Sequence, residues 1–152
     1  MIKFGPSGFC DDFLLEHSST EEMPLWLKEN NLDAYELSFT NGVRLSDETA
    51  QKFGSVFQNE NIDVSVHAPY FINFANPSLE ARQKSINYVL NSLKILNAFK
   101  GKKCVIHSGS VLKQDRIVAL DNLYKGYDAL LEEIYKNNLN NFYICPETMG
   151  KY

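Results

Sequence analysis

The chain has 152 residues, 44% of them hydrophobic and 22% charged, with a formal net charge of −4. That profile fits one soluble domain with a sizeable core, and it speaks against a partner held chiefly by phosphate neutralisation unless bound metal supplies positive charge locally. The opening MIKFGPSGFC lacks a signal-peptide core, no stretch approaches membrane-spanning length, and three cysteines without CxxC spacing indicate free thiols in a reducing, cytoplasmic setting.

Short β-rich runs alternate with helical stretches along the chain. IKFG (residues 2–5) reads as a first strand, followed by a turn, GPSGFCDD, whose two glycines do not make the GxGxxG of a dinucleotide site. A short helix is expected over 21–29 and a strand, AYELSF, over 34–39. A helix over 47–58 follows, with Ser46 as its cap and Asp47 and Glu48 against the positive end of its dipole. DVSVH (63–67) is the third strand. Asn76-Pro77 reads as a cap and first helical position for a long helix over 78–100, whose stripe comprises Leu79, Ile86, Val89, Leu90, Leu93, Leu96 and Phe99.

KCVIH (103–107) forms the fourth strand. A second long helix over 116–136 carries Ile117, Leu120, Leu123, Tyr124, Tyr127, Leu131 and Ile134 on its apolar stripe, and FYICPE (142–147) is the fifth strand. The order β-α-β-α-β-α-β-α-β calls for a parallel sheet with right-handed crossovers, either open and doubly wound or part of a (β/α)₈ barrel. A complete barrel needs ~250 residues. Five strands and four helices therefore make residues 1–152 a single (β/α)4β portion, the first half of a barrel or slightly more.

His67 ends the third expected strand, His107 the fourth and Glu147 the fifth, at the same interval each time. One βα unit separates each pair, so the three lie side by side on the rim where (β/α) enzymes place their sites. Alternation sends Val64, Val66, Ile106 and Ile144 toward the helices and His67, His107 and Glu147 inward, at one height. Two imidazoles and a carboxylate are ligands that zinc accepts in a site with an open position. A lone histidine or glutamate at a strand end is usually a hydrogen-bonded structural residue; the threefold recurrence favours a site.

Other positions admit two readings. Lys3 and Glu36 fall on the inward side of neighbouring strands, as a mutually compensating pair or, less favoured, as contacts for a substrate phosphate or sugar. Cys145 points inward, as a small buried residue rather than a ligand. Lys113 and Arg116 could meet a phosphate or be solvated. Tyr70, Phe71 and Phe74 form either a stacking rim for nucleic acid or a lid over the core. His17 lies in a polar loop and is taken as surface.

VHAPYFINFANP resembles the third-strand signature of the endonuclease IV family, zinc-dependent abasic-site endonucleases built on a TIM barrel. VIHSGS resembles its fourth-strand motif, which more often has proline where Ser108 stands, and ICPETMGK resembles its fifth-strand motif. KFGPSG and LDAYELSFTNGVRLS are similar to a less-studied branch of the family, so the resemblance covers essentially the whole chain.

The resemblance implies that His67 and His107 bind one zinc. Glu147 would bind the same ion, bridge to a second and carry the catalytic assignment. Tyr70 would face DNA around an extruded abasic site, and Arg44 falls near the DNA-contacting loop. Manganese or magnesium are alternatives to zinc. The family's remaining ligands lie on later strands, outside this chain. The expectation is thus an N-terminal part of a longer DNA-repair phosphodiesterase, holding about one metal and inactive alone, with open sheet edges that favour self-association. Two rivals stand beside it. One is a sugar isomerase-like enzyme of the same barrel superfamily; the other is a half-barrel metal-binding or interaction module without catalysis.

Overall fold

A computed structural model describes residues 2–148. Its elements in chain order are α1 (Asp11–Glu16), α2 (Met23–Glu29), β1 (Ala34–Ser38), α3 (Asp47–Asn59), β2 (Asp63–His67), α4 (Leu79–Ala98), β3 (Lys103–His107), α5 (Arg116–Lys136) and β4 (Tyr143–Glu147). The strands form one parallel sheet in the order β1-β2-β3-β4. Each helix between strands returns the chain to the start of the next strand, giving the (β/α) units of an incomplete α/β barrel.

Alternation along the strands sorts the two faces. Val64, Val66, Cys104 and Ile106 are buried on the helix-covered face. They meet a core that includes Ile86, Val89, Leu93 and Leu96 of α4 and Leu130 and Ile134 of α5. Full burial of each such side chain stabilises the fold by about 1.5–3 kcal/mol, which outweighs the weak intrinsic helicity of these segments. Ser65, His67 and Val105 point the other way and are only half-buried.

The expected first strand is not a regular strand. Residues 2–8 run beside β1, and Phe4 and Pro6 carbonyls accept hydrogen bonds from Asp33, Ala34 and Glu36, yet the only bridge among them joins Ser7 to Glu36. Pro6 has no N–H to give, so the ladder is interrupted where it would have to continue. Ile2 and Phe4, which a buried first strand would have placed against the helices, are exposed. Four strands therefore replace the five expected among the described residues, and α1 is an added helix. It is too short to show a periodic stripe and is anchored by buried Phe13, edge-on to Trp26.

Helix ends show how local chemistry sets boundaries. Ser46 caps α3 as expected, its hydroxyl accepting from the Thr49 N–H. For α4 the cap is Ser78, not Asn76; Asn76 instead accepts the Ser78 N–H, and Pro77 closes that turn just outside the helix. The expected stripe of α5 is displaced. Ala119, Gly126, Leu130 and Ile134 are buried, whereas Ile117, Leu120, Tyr124 and Leu131 are exposed, as is Leu79 at the start of α4. Close approach explains the shift: a Cβ on Gly126 would lie 2.8 Å from Cβ of Phe74, so small residues take the contact and the larger ones face away.

Candidate metal centre

β2, β3 and β4 each deliver one ligand-type side chain to the same end of the sheet. His67, His107 and Glu147 offer donor atoms that all lie within 4.8 Å of one another. Nε2 of His67 lies 3.0 Å from Oε2 of Glu147, and Nε2 of His107 lies 3.3 Å from the same oxygen. The imidazoles meet edge to face, with centroids 5.0 Å apart. The three are not at one height as alternation suggested. His107 pairs with Glu147, but His67 pairs with Val105, two residues earlier on β3. That stagger is the shear of a closing barrel.

Both imidazoles are held from behind. Nδ1 of His67 lies 2.9 Å from the Ala68 carbonyl and Nδ1 of His107 lies 3.0 Å from the Tyr70 carbonyl. A carbonyl can only accept, so each Nδ1 carries its proton and each Nε2 is the atom presented to the carboxylate. Two neutral Nε2 lone pairs against a carboxylate oxygen would repel, so the arrangement requires a positive charge between them, either a proton or a cation. For His67, burial works against protonation. The Glu147 hydrogen bond, the Ala68 carbonyl and the charges of Glu36 and Glu147 outweigh it, and the pKa rises. Glu147 is correspondingly held below the usual carboxylate range by its hydrogen bond to His67. The set fits a divalent cation such as zinc: mixed N and O donors, with ring orientation fixed by carbonyls on the far nitrogens.

The neighbouring residues divide in ways the sequence did not reveal. Tyr70 is exposed, with its ring edge-on to His107 at 4.9 Å. Phe71 is half-exposed against Tyr88, while Phe74 is fully buried against Tyr127, so the aromatic run is part rim and part core. Arg44, Lys113 and Arg116 are exposed. Cys145 stands outside the ligand group, its thiol 3.7 Å from the Tyr143 carbonyl. The expected Lys3–Glu36 pair does not form. Lys3 reaches Asp63 at 2.8 Å, and Glu36 accepts from the Ser7 hydroxyl beside it in register. His17, taken as surface, is half-buried, stacked on Phe13 and 3.8 Å from Glu22.

Sequence reasoning passed over Asn73 and Ser85, which bind the loop after β2 to its surroundings, and the Ser108–Tyr127 hydrogen bond, which ties the loop after β3 to α5. The Asn within HAPYFIN was the available signal, since a half-buried amide in an apolar run needs partners. Among the described residues, no helix is long and apolar enough to cross a membrane.

Comparison with known proteins agrees with this architecture. Residues 24–152 match the family described as xylose isomerase-like TIM barrel. An uncharacterized protein from Methanocaldococcus jannaschii is 34% identical over 125 residues, covering 82% of this chain and 44% of its own length. A probable endonuclease 4 from Mycoplasmoides gallisepticum is 46% identical over 86 residues, covering 56% and 27%. A D-tagatose 3-epimerase-like protein superposes over 99% of this chain and 54% of its own, with a TM-score of 0.76 at 22% identity. Endonuclease IV from Thermus thermophilus superposes over 82% of this chain and 45% of its own, with a TM-score of 0.55 at 14% identity. The chain thus spans about half, or less, of the length of the proteins it matches. By fold and by sequence, it belongs to the xylose isomerase-like TIM-barrel family, with endonuclease IV-like relatives within it.

Proposed function

We propose that this chain supplies the first metal-binding face of an endonuclease IV-like phosphodiesterase that acts at abasic sites in DNA. The observation that carries the reading is the convergence of two Nε2 atoms on one oxygen of Glu147, on a rim over which Tyr70 is exposed. His67, His107 and Glu147 would hold a zinc ion there, and it would supply Lewis-acid polarisation of a phosphoryl oxygen. Manganese and magnesium are alternatives.

The chain's own residues do the positioning. The Ala68 and Tyr70 carbonyls fix the two imidazoles. Glu147 offers Oε2 to both rings, and its carboxylate would join them in holding a cation. Tyr70 stacks in the space left by the missing base, and Arg44 neutralises a phosphate. Bound metal also answers the acidic composition, since it places positive charge where phosphate must sit. One cation cannot clamp both the attacking and the leaving oxygen. The chain is therefore read as one part of a longer catalytic barrel, inactive as a hydrolase alone. Free Cys10, Cys104 and Cys145 support a cytoplasmic setting, and the edge strand β4 beside the apolar outer face of α5 supports self-association.

A carbohydrate isomerase-like reading has one observation in its favour, the more extensive superposition on the epimerase-like protein. Two measurements decide. Elemental analysis of the purified chain should find about one zinc, lost in the His67→Ala, His107→Ala double variant, as expected for a three-donor site. The zinc-loaded chain should then retain a duplex with an abasic analogue over the intact duplex, and ignore ketoses. Metal-free wild-type protein, or ketose binding without abasic preference, overturns the reading.

A further inference from the structure

The loop that follows β2 supports both histidines, although only one of them belongs to β2. His67 leans on the Ala68 carbonyl, and His107, from the next strand, leans on the Tyr70 carbonyl. The position of residues 68–75 therefore sets the direction of both Nε2 atoms. Gln114 reaches the end of that loop, its Nε2 donating to the Ala75 carbonyl at 2.8 Å, but the side chain that ties the loop to the one after β3 is Asn73. Asn73 Oδ1 accepts the N–H groups of Ala75 at 2.9 Å and Ser110 at 3.2 Å. Its Nδ2 donates to the Ser110 carbonyl at 3.2 Å, and its own N–H donates to the Ser85 hydroxyl at 3.1 Å. Two backbone donors on one oxygen leave the amide no alternative orientation.

The partner loop is shaped to receive it. Gly109 has φ +127°, and a Cβ there would lie 2.1 Å from Asn73 Oδ1. Only glycine permits both the backbone and the approach. The Phe74 N–H donates to the Ser108 carbonyl and closes the seam next to the amide. The HAPYFIN and HSGS segments are thus bolted together by a side chain that touches neither imidazole.

We propose that Asn73 is a positioning residue for the metal centre: by fixing the 68–75 loop to residues 108–110, it holds the Tyr70 carbonyl where it orients His107. This rests on the reading of His67 and His107 as ligands. The rival account is that buried Ile72 and Phe74 hold the loop unaided.

Cobalt titration of the chain, read by its visible absorption, is compared with ¹⁵N spectra of the imidazoles in metal-free protein at fixed pH. Asn73→Ala should weaken cobalt affinity about 10–100-fold, as loss of an outer hydrogen bond does, and shift the His107 tautomer toward a mixture while His67 keeps its own. Asn73→Asp keeps the acceptor for both N–H groups and should stay within about threefold of wild type. If Asn73→Ala does not fold, Gly109→Ala, which drives a methyl into the amide, must produce the same His107 signature. Unchanged cobalt affinity with an unchanged His107 tautomer overturns the proposal. Wild-type protein that takes no cobalt would sink the metal reading instead, and the imidazole spectra would still decide whether Asn73 orients His107.

Discussion

Two loops leave the same rim of the sheet and are built in opposite ways. The loop after β2 is packed like core: Ala68, Ile72, Phe74 and Ala75 are buried, and Asn73 fastens the backbone. The loop after β1 is anchored at its start by buried Phe39, whose N–H donates to the His67 carbonyl. Beyond it the chain holds on by half-buried Val43 and Leu45, turns at Gly42 with φ +101°, and leaves Arg44 exposed. The first presents the carbonyls against which both imidazoles are oriented, as a preorganised site would need. The second presents a long cation to solvent, where reach matters more than precision. Rigidity is thus concentrated in the loop that carries Tyr70 and backs the candidate metal site, and is lower where Arg44 is proposed to reach a phosphate.

The largest expected effect breaks the rigid loop at its core. Phe74 is fully buried, its ring tilted against Tyr127 with centroids 5.0 Å apart, and pressed against Gly126 of α5. Phe74→Ala should cost about 3–5 kcal/mol of unfolding free energy, measured by urea denaturation, because the void sits where a helix and a loop both lean. A loss below about 1 kcal/mol would show that the loop can relax, and that it resembles the loop after β1 after all.

How much of this was legible follows the same division. β2 and β3 lie at their expected residues because alternation in DVSVH, a short apolar run in KCVIH and flanking turn residues fix a strand locally. The gathering of His67, His107 and Glu147 was readable too, since equal intervals along a parallel sheet become neighbours in space. Their unequal height was not, because register belongs to pairs of strands and no single strand encodes it. The partner of Lys3 was misjudged for the same reason: alternation gives the face but not the level, and Asp63 at the start of β2 is nearer than Glu36. Asn73 escaped because its partners, Ser85 and Ser110, are distant in sequence. The stripe of α5 was misplaced because Gly126 makes the contact, and glycine carries no hydrophobic signal.

A smaller effect tests where the loose loop is anchored. Ser46 ends it, and its hydroxyl accepts the Thr49 N–H at 3.2 Å, satisfying a donor that the first turn of α3 leaves free. Ser46→Ala should cost about 1 kcal/mol by urea denaturation, with zinc content unchanged. A parallel loss of metal would mean that the two loops are coupled across the rim.

Arg44→Ala should be the mildest change and the most selective. An exposed arginine on a loop contributes little to folding, so unfolding free energy should stay within about 0.5 kcal/mol of wild type. Zinc content should not move, because the histidines take their support from the other loop. What should move is the salt dependence of binding to an abasic duplex. Loss of one phosphate contact lowers the slope of log affinity against log salt by about one. An unchanged slope would remove Arg44 from the interface and leave Tyr70 as the sole DNA contact proposed on this rim. A fall in zinc content would contradict the separation of roles itself, since the side chain proposed for reach would then be holding the metal site in place.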